Sequence, residues 1–88
     1  MPSSKKTTVA IVDDNRLVRE ALTAMLGALP EFLVLASATA DSAFLTAVKP
    51  QVVLLDVGLG DQDSLRVATA IRSEVPDAKI IVMDLIPD

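Results

Sequence analysis

The 88-residue sequence contains no cysteine and no histidine. The first absence removes disulfides and thiolate metal sites. The second removes histidine-based catalytic triads and most zinc sites. Positive charge is scarce as well: eight Lys and Arg stand against twelve Asp and Glu, a net charge of −4. That is the wrong sign for a nucleic-acid binder. The nearest basic feature is Lys5-Lys6 in the polar leader MPSSKKTT, and a solvated tail accounts for it. No apolar stretch approaches the roughly 18–20 residues of a membrane span. After the leader only Val9–Val12 are apolar before Asp13, too few for a signal-peptide core. A soluble, cytoplasmic chain with no membrane partner is expected. Its length predicts one small domain, and an apolar fraction of 51% is ample for a core.

What the chain does have is short apolar runs rich in β-branched residues: Val9–Val12, Val52–Leu55 and Ile80–Met83, with a weaker one at Leu33–Leu35. Runs that are apolar throughout fit strands buried on both faces, as in parallel sheets. Helical spacing fills the gaps. Val18, Ala21, Leu22, Met25, Leu26 and Leu29 form one continuous stripe, with Asn15 or Asp14 able to cap its start and Gly27 with Pro30 marking its end. Asp41 or Ser42 can cap a second helix presenting Phe44, Leu45 and Val48 and stopping before Lys49-Pro50. A third runs from Ser64 to Glu74 with Leu65, Ala68, Ile71 and Val75 inward, and ends before Pro76. The resulting β-α-β-α-β-α-β order predicts an α/β fold with a parallel sheet.

Three of the strands end in acid. Val9–Val12 runs into the mutually repelling pair Asp13-Asp14, Val52–Leu55 into Asp56, and Ile80–Met83 into Asp84. Parallel strands joined by right-handed crossovers place all their C-terminal ends along one edge of the sheet, and the ligand crevice of such sheets opens there. If the first and third strands are neighbours, Asp13, Asp14 and Asp56 share one pocket. Left alone, at least one of three crowded carboxylates would hold a proton. A hard divalent cation relieves the crowding. Oxygen ligands without imidazole or thiolate suggest Mg²⁺ or Mn²⁺. The bland alternative is that each aspartate marks only where a buried strand reaches water, or caps the following helix.

Together and in this order, I-V-D-D-N, V-V-L-L-D-V-G-L, the helix from Ser64 and the apolar strand to Met83 resemble the receiver domain of bacterial two-component response regulators, over residues 8–86. The stretch D-D-N-R-L-V-R-E-A-L is similar to receivers that carry a LuxR- or NarL-like DNA-binding domain. The resemblance implies a flavodoxin-like (CheY-like) doubly wound sheet of order 2-1-3-4, truncated after the fourth strand. Residues 1–7 would be a flexible tail and 8–88 a partial receiver domain. It further implies that Asp56 accepts a phosphoryl group from a phosphohistidine of a sensor histidine kinase. Asp13 and Asp14 would hold Mg²⁺ (or Mn²⁺), one directly and one through water, with Asp56 and the backbone carbonyl of Gly58 completing the set. Arg16, Leu17 and Arg19 would lie on a kinase-docking surface. DNA would be met only through an output domain absent from this chain, which is not itself expected to be an enzyme.

Some positions depart from the family pattern. Gly60 and Ser64 stand where proline and glycine are usual, and Asp84 occupies the switch position where the family has threonine or serine. The family's last strand–helix pair, with its phosphate-pairing lysine, would lie past Asp88. These departures keep open a second reading, a receiver-like interaction or dimerisation module that works without phosphorylation. An uncovered fourth-strand edge and a truncated face beside the first helix would in either case favour self-association. Two other readings fail on spacing. An aspartate-nucleophile phosphatase wants a second acid two residues on, where Asp56 has Gly58. A dinucleotide loop at Gly58-Leu59-Gly60 lacks its third glycine and has Asp61 and Asp63 to repel a pyrophosphate.

Overall fold

A computed structural model describes residues 6–56 and 64–83. Four strands, β1 (Thr7–Val12), β2 (Phe32–Ser37), β3 (Val52–Asp56) and β4 (Lys79–Met83), alternate with three helices, α1 (Arg16–Gly27), α2 (Ser42–Val48) and α3 (Ser64–Glu74). The strands form one parallel sheet in the order β2-β1-β3-β4. This is the expected order. Thr7, assigned to the tail from sequence, is the first residue of β1, and its N–H donates to the Glu31 carbonyl at 2.8 Å.

Strand alternation sorts the core. Ala10 and Val12 of β1 and Val53 and Leu55 of β3 pack with Leu45 of α2, Ile71 of α3, and Val75 and Ala78 after it. Phe44, Val67, Ala68 and Ile80 close around this cluster. The intervening residues Val9 and Ile11 are buried outside that cluster, on the face where α1 lies against β1 and β2. Both faces of β1 are therefore covered, as its unbroken apolar run predicts.

The helix ends follow local chemistry. Asn15 Oδ1 accepts the Val18 N–H at 3.2 Å and caps α1, and Asp41 Oδ1 accepts the Ala43 N–H at 3.0 Å and caps α2. Lys49 closes α2 in the left-handed conformation, with φ of 50°, its N–H bonded to the Leu45 carbonyl at 2.9 Å. Across the same face, Ser42 Oγ donates to Glu74 Oε1 at 2.8 Å, tying α2 to α3.

One expectation needs correction. The α1 stripe is only partly inward: Val18, Leu22 and Leu26 are half-buried, whereas Ala21, Met25 and Leu29 are exposed and no α1 residue is fully buried. Periodicity says which residues share a face, and the width of the neighbouring surface decides how many of them it covers. β4, apolar from Ile80 to Met83, is not enclosed, in keeping with the expected uncovered fourth strand: Ile81 is 44% and Val82 51% exposed. The strand stands at the sheet edge, and no described element lies beyond it. The side chain of Leu65 falls outside the described residues.

Lys49 supplies a test of the local geometry. A left-handed conformation is unfavourable for any residue with a Cβ and neutral for glycine. Lys49→Gly should therefore raise unfolding stability by about 0.5–1 kcal/mol in urea denaturation, after allowing for glycine's greater unfolded-state freedom. A loss of stability would contradict the left-handed cap.

Candidate functional site

Strands β1 and β3 are adjacent and parallel, with Val12 opposite Leu55. The next residues along, Asp13 and Asp56, therefore stand at the same height at the C-terminal edge of the sheet. Both are buried, Asp13 to 1% exposure. Burial of a charged group at that depth is rare without a partner or a task.

Asp13 is held by nearly every polar atom it has. Its N–H donates to the Ser37 carbonyl at 3.1 Å, extending the β1–β2 ladder by one rung. Its Oδ1 accepts the Asn15 N–H at 2.8 Å, an aspartate turn two residues long. Its carbonyl accepts Arg19 Nη1 at 2.9 Å. The remaining atom, Oδ2, is buried and receives no hydrogen bond. Asp56 lies within hydrogen-bonding and Coulombic reach of the Asp13 carboxyl.

Burial pushes the Asp13 carboxyl up to about 6. The Asn15 N–H, which favours the anion, opposes that rise; the hydrogen bond and repulsion from Asp56 and the repulsion from Asp14 add to it. Asp14 itself is exposed. The two adjacent acids thus part company: Asp13 continues the pairing of β1, and its neighbour turns to solvent before Asn15 opens α1.

The sequence expectation of three carboxylates meeting in one pocket is met for two of them. Among the described residues no group of three or more acidic side chains is placed to hold a metal ion together. Asp14 sits at the rim and acts on Asp13 through its charge. Gly58 and Asp84, the expected carbonyl ligand and switch position, lie outside the described residues. Even so, the pair has the chemistry a hard cation needs. A buried carboxylate oxygen without a donor, made costly by burial and by a second carboxylate, is what an oxygen-seeking divalent ion would relieve.

Of the three side chains expected on a docking surface, Leu17 is 76% exposed, and Arg16 is exposed and bonded through Nε to Glu20 Oε2 at 2.9 Å. Arg19 differs: half-buried, it turns back onto Asp13. That inward turn was not read from the sequence, although an arginine one turn into the helix is within reach of the preceding loop. No described helix is long and apolar enough to cross a membrane.

Residues 9–84 match the family model described as the response regulator receiver domain. The chain is 35% identical over 78 residues to the DNA-binding transcriptional activator DevR/DosR of Mycobacterium tuberculosis, covering 85% of this chain and 36% of that protein. It is 32% identical to the transcriptional regulatory protein LiaR of Bacillus subtilis, covering 85% of this chain and 37% of that one. It is also 36% identical to protein-glutamate methylesterase/protein-glutamine glutaminase 1 of Pseudomonas savastanoi pv. phaseolicola, covering 97% of this chain and 24% of that protein. The chain thus spans from 24% to 37% of the length of these curated relatives. A LuxR-family DNA-binding response regulator from Staphylococcus aureus shares the fold with a TM-score of 0.69 at 24% identity, covering 86% of this chain and 66% of that one.

The buried Asp13 makes stability depend on pH in a stated direction. Its carboxyl holds a proton more tightly in the folded than in the unfolded chain. The stability it contributes is therefore full below about pH 4 and lost as pH rises through about 6. Asp13→Asn keeps an acceptor for the Asn15 N–H and cannot ionise. In urea denaturation in chelator-treated buffer, the wild-type curve should fall below that of Asp13→Asn between pH 4 and 6. Parallel curves would overturn the assignment.

Proposed function

The chain belongs to the response regulator receiver domain family, and on that premise we propose that it is a phospho-acceptor whose nucleophile is Asp56. A carboxylate oxygen of Asp56 attacks the phosphorus of a phosphohistidine on a sensor histidine kinase. A P–O bond forms, the N–P bond breaks, and its electron pair remains on the departing imidazole. The observation that carries this reading is the buried pairing of Asp13 with Asp56 at the ends of adjacent parallel strands.

Asp13, through its free Oδ2, would hold Mg²⁺ (or Mn²⁺) directly and Asp14, from its exposed position, through water, with Asp56 and the Gly58 carbonyl completing the set. When bound, the cation supplies charge neutralisation between acceptor and phosphoryl oxygens. Asp13 keeps its aim because its backbone and Oδ1 are already bonded; Asp56, at the end of a strand buried between neighbours, is fixed by the sheet. Exposed Arg16 and Leu17, at the start of α1, offer the kinase a surface. The chain itself is read as non-enzymatic and cytoplasmic. Its output lies in a domain outside this chain, and the D-D-N-R-L-V-R-E-A-L stretch favours transcriptional control over the esterase-type output of the Pseudomonas relative.

A second reading, a receiver-like interaction module that signals without phosphate, draws on one observation. Ile81 and Val82 of β4 are exposed, and among the described residues no strand pairs with the outer side of β4. Incubating the full-length protein with acetyl phosphate and Mg²⁺ and measuring intact mass separates the two. A phosphate adduct that disappears in Asp56→Asn is the expected result; no adduct under any condition would leave the second reading standing.

The open edge has its own consequence. Unpaired strand N–H and C=O groups beside exposed apolar side chains recruit further chains. The 88-residue chain, at low micromolar concentration, should elute as species larger than 9.3 kDa in size-exclusion chromatography with light scattering. A clean monomer would refute self-association.

A further inference from the structure

Two arginines sit on the first turns of α1, and the structure uses them differently. Arg16 lies on the surface, its side chain 79% exposed, bonded to Glu20 on the same helix. Arg19 is half-buried, and its Nη1 reaches back six residues to the Asp13 carbonyl at 2.9 Å. That bond closes the turn between β1 and α1. The Asp13 N–H is tied to β2 through Ser37, Oδ1 is tied forward to the Asn15 N–H, and the Asn15 carbonyl starts the helix by accepting the Arg19 N–H at 3.0 Å. Arg19 therefore grips the turn twice, by its backbone and by its guanidinium. Without the second grip, the Asp13 carbonyl loses its only described side-chain donor, and the peptide following it, which carries Asp14, is held by the flanking bonds alone.

Resting on the phospho-acceptor reading above, we propose that Arg19 is a positioning residue for the acid pocket, its guanidinium bond to the Asp13 carbonyl holding the turn that aims the Asp13 carboxylate at Asp56. The guanidinium does this as a planar, permanently charged donor whose charge strengthens the bond to a neutral carbonyl. It works on the backbone and leaves the carboxylate oxygens for other partners. This assigns Arg19 to the pocket, and it takes that residue off the docking surface where Arg16 and Leu17 remain.

The sign of one measurement separates positioning from simple charge. A cation beside the pocket repels Mg²⁺, so by Coulomb's law alone its removal should tighten Mg²⁺ binding. If Arg19 positions the turn, its removal should weaken binding instead, by about tenfold or more, as losing a residue that orients a ligand does elsewhere. The variant of choice is Arg19→Met, which keeps the apolar stem and removes the guanidinium. Arg16→Ala removes an equal charge from the same helix without touching Asp13, and should leave Mg²⁺ affinity unchanged or slightly tighter. Mg²⁺ alone is titrated into the full-length protein and followed by amide NMR shifts of the β1–α1 turn. Equal or tighter binding in Arg19→Met overturns the proposal.

A metal-free readout keeps the test independent of the phospho-acceptor reading. Amide hydrogen exchange at Asn15, whose N–H is bonded to Asp13 Oδ1, should accelerate about tenfold or more in Arg19→Met and stay at the wild-type rate in Arg16→Ala. Failure of the wild type to bind Mg²⁺ would overturn the phospho-acceptor reading. Unchanged exchange at Asn15 would overturn the role of Arg19. Should Arg19→Met fail to fold, Arg19→Lys, which keeps a charged donor but not the planar reach, is measured in its place with the same two outcomes.

Discussion

The described residues at the C-terminal edge of this sheet are organised around one unfavourable contact: two buried carboxylates, Asp13 and Asp56, held side by side. A fold gains nothing from such a pair. The charge is desolvated, the neighbour repels it, and Asp13 holds its proton to unusually high pH as a result. The rest of the molecule is arranged so that this contact cannot relax. β1 is central, covered on both faces and paired on both sides. Its last rung, from the Asp13 N–H to Ser37, extends the pairing past the strand itself. The turn after it is bonded at Asn15 and at Arg19.

The scaffold and the site are coupled through the parallel sheet. Because the strands all point one way, the segment that ends β1 and the segment that ends β3 deliver their acids to the same rim without any specific loop design. The core cluster of Ala10, Val12, Leu45, Val53, Leu55 and Ile71 fixes the relative height of those strands. A one-residue slip in the β1–β3 register would put Asp13 beside Leu55 and send Asp56 past the end of β1. Core packing is in this sense the outermost determinant of the pocket.

Much of this was legible in the residues. The strand order, the Asp41 cap of α2, the α3 range Ser64–Glu74 and the meeting of Asp13 with Asp56 all follow from patterns with a definite period or a definite chemistry. What was not legible depends on neighbours that no local pattern encodes. Met25 shares a helical stripe with Leu22 and Leu26 yet faces solvent, because the surface beneath α1 is narrower than the stripe. Asp13 and Asp14 look equivalent in sequence, and only the pairing of Asp13 with β2 decides that one enters the pocket and the other faces water. Arg19, like Arg16, reads as a surface cation until its bond to the Asp13 carbonyl is seen.

The central claim is that Asp13 and Asp56 feel each other directly. The measurement closest to it is a carbon-detected NMR titration of the Asp13 carboxyl in metal-free solution, in the wild type and in Asp56→Asn. The account predicts half-protonation of Asp13 at about pH 6 in the wild type, and a clear fall, short of the ordinary aspartate value because burial remains, once the Asp56 charge is gone. A wild-type Asp13 that titrates near the ordinary value of about 4, unmoved by Asp56→Asn, would contradict it.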